Sequence, residues 1–539
     1  MQYFTNFRFC SQKIYKIVFW KNYRDFLKKN AELTSLLLGS LALASVSSLS
    51  HGAARRLSSV SADPFTLGVA SGDPTPDSIV LWTRLAREVM MESGAVDQAV
   101  QVDYELSESS SFNRVIRSGS IAASPELGHS VHADVRGLDS DQVYFYRWQV
   151  GNVTSPIGRT KTAPAASARN ENFRLAFASC QQYEHGYFTA YKHMADEEFD
   201  LIIHLGDYIY ERSWGNNLVR NHEGPEIITL QDYRNRYNTY KSDPDIRAAH
   251  ASAPWVVTWD DHEVDNNYAG EIAEDEQTPE QLLRRRVDAY QAYYEFMPIR
   301  LPVGREGPDM PIHRRLRFGN LMEMHVLDTR QYRNDQACGD GRKISCDEHQ
   351  DPTRSALGQA QKNWLLDGLA TTEATWNVLA QQIMMASLRG VSGAGERLWP
   401  MDIWDGYPYE RQQLLEHLDT VSTPNPVVLT GDIHSNWAAD LKLDFDIPSS
   451  KVVGSEYIGT SISSGGDGQD MTNYGSDLLA NNPHVKFYNA NRGYVSATLT
   501  PSLWKADYKI VPYITSRGAP INIRKTYVTE AGRPGVQEN

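Results

Sequence analysis

Four short apolar runs in this 539-residue chain end in side-chain types that hold metal ions. Phe173–Ala178 leads into Ser179-Cys180-Gln181, and Leu201–Leu205 leads into Gly206-Asp207-Tyr208-Ile209-Tyr210. Trp255–Trp259 leads into Asp260-Asp261-His262-Glu263, and Pro426–Thr430 leads into Gly431-Asp432-Ile433-His434. Short apolar runs bounded in this way read as buried strands. In open α/β sheets, sites form beyond the carboxyl ends of such strands. Each motif alone has an ordinary reading: Gly-Asp after a strand is a turn, a lone buried cysteine is core filler, and Asp-Asp-His is a solvated loop. Four independent turns seldom all choose Cys, Asp and His. The coincidence points to a metal centre built from Cys180, Asp207, Tyr210, Asp261, Asp432 and His434, with Asp260 able to exchange for Asp261.

The donor types narrow the metal. Carboxylate and imidazole suit hard or borderline dications, whereas a thiolate asks for a softer or transition metal. Asp207 and Tyr210 lie three apart, so one turn beyond a strand lets both reach one ion. A tyrosinate beside a thiolate favours iron over zinc. Two ions about 3.5–4 Å apart need a shared ligand, and Asp207 is the expected bridge.

Those residues need a frame. A chain of this length exceeds one typical core and calls for at least two domains. Between residues 173 and 515, apolar runs alternate with helical stretches such as Gln281–Glu295 and Gly358–Leu369, which implies an α/β domain with a largely parallel or mixed sheet. Residues 63–162 read as an all-β domain of sandwich size, with strands at Ser78–Trp82, Ala99–Leu106 and Val143–Val150. No catalytic constellation is visible there. The small polar segment Ala163–Asn172 marks the boundary. Residues 516–539 read as a basic, polar and loosely ordered tail.

Composition excludes some functions. With 41% hydrophobic and 22% charged residues the chain is globular, and its net charge of -14 argues against specific nucleic-acid binding. A site that handles phosphate must then draw positive charge from metals or a few arginines. Four cysteines are too few for a disulfide scaffold. Cys338 and Cys346, in the loop-like stretch Asp335–Asp351, are expected to pair in an oxidising compartment. Residues 1–54 read as a signal segment: Lys21, Arg24, Lys28 and Lys29 precede the apolar run Leu33–Leu49 and small residues near Ala53. The alternative is an uncleaved membrane anchor. Asn22–Lys28 is similar to the twin-arginine export motif, with Tyr23 in the place of the first arginine. The expected location is periplasmic, cell-surface or secreted.

The order of the four motifs resembles that of the calcineurin-like metallophosphoesterases. Their departures from the wider pattern resemble the alkaline phosphatase D (PhoD) family, as do Gly68–Pro74, Cys180–Glu184, Asp328–Arg333 and Trp404–Tyr407. The resemblance runs from about Phe65 to about Gly493. It implies an αββα metallophosphatase sandwich behind an N-terminal β-sandwich. It also implies a ferric ion on Cys180, Asp207, Tyr210 and His434, with calcium on Asp207, Asp261 and Asp432; zinc or manganese are the alternatives.

The activity implied is hydrolysis of phosphate mono- and diesters by a metal-bound hydroxide, acting on small esters or on phospholipid or polymer diesters. His262, beside ligand Asp261, is the expected general acid. Its alternative role is a hydrogen bond that fixes the loop. Arg330 and Arg333 are expected either to clamp phosphate or to pair with carboxylates. Thr460–Gly466 lacks the lysine of a phosphate-binding P-loop and reads as lining for the site mouth. A phospholipase D-like phosphodiesterase and a non-catalytic metal-stabilised binding protein are the competing readings.

Overall fold

The computed structural model describes residues 54–300 and 308–539. The expected signal segment therefore lies almost wholly outside the described residues. Among the described residues, no helix is long and apolar enough to cross a membrane.

Two sheets form the centre of the larger domain. In the first, Phe173–Ala178, Leu201–Leu205 and Pro254–Thr258 run parallel in adjacent positions. In the second, Met322–Val326, Trp376–Ala380, Pro426–Thr430 and Val452–Ile458 run parallel. Val485–Leu499 stitches the two together: its first residues pair with Asn436–Lys442 in the second sheet and its last with Phe173–Ala178 in the first. The central parallel strands are buried along their whole length, which is why they read as unbroken apolar runs rather than alternating ones.

The facing sides of the sheets share one core that includes Leu175, Phe177, Ile203, Leu205, Val378, Ala380, Val427 and Leu429. Helices cover both outer faces. Tyr191, Tyr237, Ile246 and Tyr293 pack on the first sheet from helices Thr189–Ala195, Leu230–Lys241, Pro244–Ser252 and Pro279–Phe296. Leu365, Leu415 and Leu478 pack on the second from Gln359–Thr371, Pro408–Thr420 and Asn473–Asn481. The four layers are α, β, β and α, as the resemblance implies. Pro279–Phe296 opens with a capping box between Thr278 and Gln281, with Pro279 in its first turn, so its start is fixed locally.

The N-terminal part is two facing antiparallel sheets. Val100–Ser107 lies between Val115–Ala123 and Val143–Val150 in one. Ser78–Arg84 lies between Val69–Gly72 and Ser130–Arg136 in the other. The second of these is not closed off from the larger domain, because Ser71 and Gly72 pair in parallel with Pro254 and Trp255. The first catalytic sheet therefore continues into the N-terminal sandwich.

The tail departs from the sequence expectation. Asn522–Glu530 and Arg533–Glu538 are strands, added in antiparallel order beside Leu503–Val511. Tyr527 and Val536 are buried in the inter-sheet core. The basic, polar residues lie on the exposed stretches of an edge hairpin, and the buried residues Tyr527–Thr529, Gly535 and Val536 supply the contact that orders it.

Candidate metal centre

Parallel strands point their carboxyl ends one way, so the motif residues of both sheets emerge at one edge. Cys180, Asp207 and Asp261 come from the first sheet, and Asp432 and His434 from the second. Ser179 bridges Ser461 across the seam between them. Four of these residues hold the left-handed backbone region: Cys180 at φ 58°, Asp207 at 58°, Asp432 at 61° and His434 at 53°. Non-glycine residues there carry strain of about 1–3 kcal/mol each, kept only where surrounding structure over-determines it. Gly206 must be glycine. Its φ is 111°, and a Cβ would lie 2.5 Å from that of Asp260, so the neighbouring strand ends could not close together.

The donors gather in two groups that share one residue. Ligand atoms of Cys180, Asp207 and His434 lie within 4.8 Å of one another, as do those of Asp207, Asp261 and His262. Tyr210 joins the first group, with its Oη 2.9 Å from Asp207 Oδ2 and 3.2 Å from His434 Nε2. Asp432 sits on the other flank, its Oδ1 4.0 Å from Arg330 Nη2. Of the two adjacent aspartates, Asp261 faces the shared carboxylate. Asp260 turns away and accepts from Arg330 Nε at 2.5 Å. Asp261 is held in place by backbone donors, the amides of His262 at 3.0 Å and Asn267 at 2.7 Å.

The residues present fit a cation. Asp207 Oδ1 and Asp260 Oδ2 are buried without a hydrogen-bond partner, which is costly unless a positive charge meets them. Burial, and then the neighbouring carboxylates, push the Asp432 carboxyl well above its ordinary range. Burial does the same to Asp207, against the pull of His262. The Cys180 thiol is likewise pushed up, by burial and then by Asp207 and Asp432. Bound cations reverse this logic by stabilising the anionic ligands. Asp261 is held low in spite of burial, because Arg330 and His262 lie beside it.

His262 lies over Tyr210, with ring centroids 4.1 Å apart, and its Nδ1 is 2.6 Å from Glu211 Oε2. Burial opposes a charge on the ring, but Glu211, Asp261 and Asp207 outweigh it, so its affinity for a proton is raised. Glu263, next in sequence, faces inward. It accepts from the amides of Asp207 at 3.1 Å, Tyr208 at 2.5 Å and Asp260 at 2.9 Å, tying two strand ends together.

Arg330 and Arg333 both pair with carboxylates, one of the two roles expected of them. Arg330 is fully buried and grips Asp402 bidentately at 2.9 and 3.0 Å, with Asp260 at its third edge. Arg333 lies 3.1 Å from the Asp402 carboxylate and donates to Tyr407 Oη at 2.8 Å and to the Asp402 carbonyl at 2.9 Å. Both guanidiniums brace the carboxylate flank from beneath, because carboxylates close enough to bind cations also need cations behind them.

Sequence reasoning missed Glu211, Asp402 and Arg492. Glu211 carried a signal, since it stands four residues after Asp207 in the same loop. Asp402 stands two residues before Trp404–Tyr407, a segment that resembles the family without singling it out, and Arg492, which donates to the His434 carbonyl, has no motif around it. Cys338 and Cys346 form a disulfide with Cα atoms 6.0 Å apart.

Comparison with known proteins agrees with this geometry. Residues 175–508 match the profile of the PhoD-like phosphatase family, and residues 51–164 match its N-terminal domain. The chain is 47% identical to alkaline phosphatase D of Bacillus subtilis (strain 168) over 548 aligned positions, covering all of this chain and 93% of that one. A solved structure of PhoD superposes with a TM-score of 0.85 at 49% identity, over 89% of this chain and 92% of the other. The chain belongs to the PhoD-like phosphatase family and is a phosphoric ester hydrolase.

Proposed function

We propose that the chain is an exported, metal-dependent phosphoesterase acting on phosphate mono- and diesters, with Cys180, Asp207, Tyr210, Asp261, Asp432 and His434 as its metal ligands. The observation that carries this reading is that the Asp207 carboxylate lies within ligand reach both of Cys180 and His434 and of Asp261, the arrangement a two-metal site requires of its bridging ligand. The donor set divides by softness. Cys180, Tyr210 and His434 suit a ferric ion, and the oxygen-only flank of Asp261 and Asp432 suits calcium. When bound, the ions supply an activated water and neutralise charge on the phosphoryl group.

The chain's own residues do the rest. His262 directs Nδ1 to Glu211, which leaves Nε2 to hold a proton for the departing alcohol. Glu263 fixes the backbone from which Asp207 and Asp260 project. Arg330 keeps the crowded carboxylates from repelling one another apart. Residues 173–515 form the catalytic unit and 63–162 the N-terminal sandwich. A chain of net charge -14 takes small phosphate esters, or phospholipid or polymer diesters, rather than nucleic acid through a basic surface. Export, by the twin-arginine route or another, is supported by the Cys338–Cys346 disulfide, since disulfides persist in oxidising compartments.

The test is hydrolysis of a nitrophenyl phosphate monoester against its bis-ester, before and after chelation, with protein purified from the exported fraction. Activity on both esters that chelation removes and iron plus calcium restore is the expected result. A clear diester preference would move the assignment to a phospholipase D-like diesterase. Full activity after chelation, with no metal left by elemental analysis, would overturn the metal reading.

A further inference from the structure

Arg492 is buried at 4% exposure, and among the described residues its guanidinium hydrogen-bonds to no carboxylate. Nη1 donates to the His434 carbonyl at 2.7 Å, the Ser464 carbonyl at 2.7 Å and Ser461 Oγ at 2.5 Å; Nη2 donates to the Ala490 carbonyl at 2.8 Å. Nε is buried without a partner.

The loop it grips is the Ser/Gly-rich run Thr460–Gly466. Ser464 Oγ lies 2.8 Å from the Cys180 carbonyl and 2.7 Å from Tyr210 Oη, and Ser463 Oγ donates to the Gln182 carbonyl at 2.8 Å. The Ser464 amide donates to the Cys180 carbonyl at 3.2 Å. Thr460 Oγ1 donates to the His434 carbonyl at 3.3 Å. Gly468 leaves room for the arrangement: a Cβ there would strike the Ala490 carbonyl and stand 2.9 Å from Arg492 Nη2. One arginine and one loop thus hold the backbones of Cys180 and His434 and the phenol oxygen of Tyr210.

We propose that Arg492, acting through the Ser461–Ser464 loop, is the positioning residue for the Cys180–Tyr210–His434 metal ligands. The inference rests on the metal reading above. It assigns a role to the Ser/Gly run that a site-mouth lining does not explain: the run faces the ligands from behind and fixes their directions. Partners that orient metal ligands in this way are worth roughly 10- to 100-fold in metal affinity.

The test strips the full-length chain with chelator and titrates it with ferric iron, following the thiolate- and phenolate-to-iron charge-transfer absorption. Arg492→Met is expected to bind ferric iron about 10- to 100-fold more weakly, with a displaced absorption maximum. Arg492→Lys, which keeps the charge but not the fork, falls between it and the parent. Arg524→Met, which removes an exposed arginine paired with Asp470, leaves both readouts unchanged. An Arg492→Met protein that matches the parent in affinity and absorption overturns the inference while leaving the phosphoesterase reading intact. A parent chain that takes up no ferric iron overturns both the inference and the ferric assignment. Should Arg492→Met fail to fold, judged by circular dichroism of the stripped protein, Ser464→Ala reads the same device. There a displaced absorption maximum supports the inference, and an unchanged one overturns it.

Discussion

Arg330 and Arg492 stand at opposite flanks of one site, both buried. Arg330 is bonded to Asp260 and Asp402 and lies within 4.0 Å of Asp261 and Asp432. Arg492 meets carbonyls and a hydroxyl. The difference follows from the ligands each serves. An oxygen-only flank gathers carboxylates that repel one another before any metal arrives, so a permanent cation must stand among them. The Cys180–Tyr210–His434 flank holds one carboxylate, the shared Asp207, and its arginine is met by carbonyls and a hydroxyl. One arginine faces acidic side chains and the other faces backbone.

The largest expected effect falls on the residue both flanks share. Asp207→Asn takes hydrolysis of both nitrophenyl esters to background and removes metal from both flanks, as measured by elemental analysis. Retention of one ion at undiminished affinity would show that Asp207 serves a single metal, and the flanks would have to be treated as separate sites.

Stability of the metal-free protein distinguishes the arginines directly. Arg330→Met strands Asp260 in the interior and leaves the Asp402 carboxylate to Arg333 and Gln336, and removal of one member of a buried ionic network costs about 3–5 kcal/mol. Arg492→Met strands only carbonyls and hydroxyls, worth about 1–3 kcal/mol. Urea unfolding of the two stripped variants should therefore separate them, with Arg330→Met the less stable. Equal losses would break the comparison. Asp260→Asn placed on Arg330→Met should recover part of the loss, because it removes the stranded charge.

Chemistry at the boundary between the flanks comes next. His262→Asn is expected to slow turnover roughly 10²- to 10⁴-fold, the range for a positioned general acid. Glu211→Gln keeps a hydrogen bond to Nδ1 but not the charge, and should cost about 10- to 100-fold. The double variant should lose little more than His262→Asn alone, since Glu211 acts through the ring. Additive losses in the pre-steady-state burst and steady-state rates would assign Glu211 a role of its own.

The strand ends were legible in the sequence because each places its donors directly after a fully buried run, so type and position arrive together. Cys180, Asp207, Asp432 and His434 even adopt the same unusual backbone region, which the adjoining Gly206 and Gly431 hint at. Glu211 was within reach for the same reason, lying in the Asp207 loop. Asp402 and Arg492 were not, because a residue that acts on ligands from behind is placed by the packing of distant segments and leaves no local pattern. The sequence left two roles open for Arg330, since a guanidinium after a strand reads the same way whether it meets phosphate or Asp402. The tail was misread on charge, although Tyr527, Val528 and Val536 are apolar residues within it. The boundary near Asn172 shows as a change of rhythm, yet nothing in Val69–Gly72 announced that it would pair with Pro254 and Trp255 and join the two sheets.

The smallest effect separates two glycines beside the Arg492 flank, Gly466 at the end of the Thr460–Gly466 loop and Gly468 in the short strand Gly468–Gln469 that follows it. Gly466 has φ 70° and open space within 4 Å of where a Cβ would stand, whereas Gly468 has φ 74° and faces the Ala490 carbonyl and Arg492. Both substitutions by alanine carry the left-handed strain, about 1–2 kcal/mol. Gly468→Ala adds a collision that must displace Arg492, so it should weaken ferric iron binding as Arg492→Met does. Gly466→Ala should lower the urea midpoint slightly and leave iron affinity alone, because strain in a loop with open space relaxes locally. If Gly466→Ala weakens iron as much as Gly468→Ala, the loop acts through its general rigidity and not through the arginine it encloses. The contrast between the flanks would then rest on Arg330 alone.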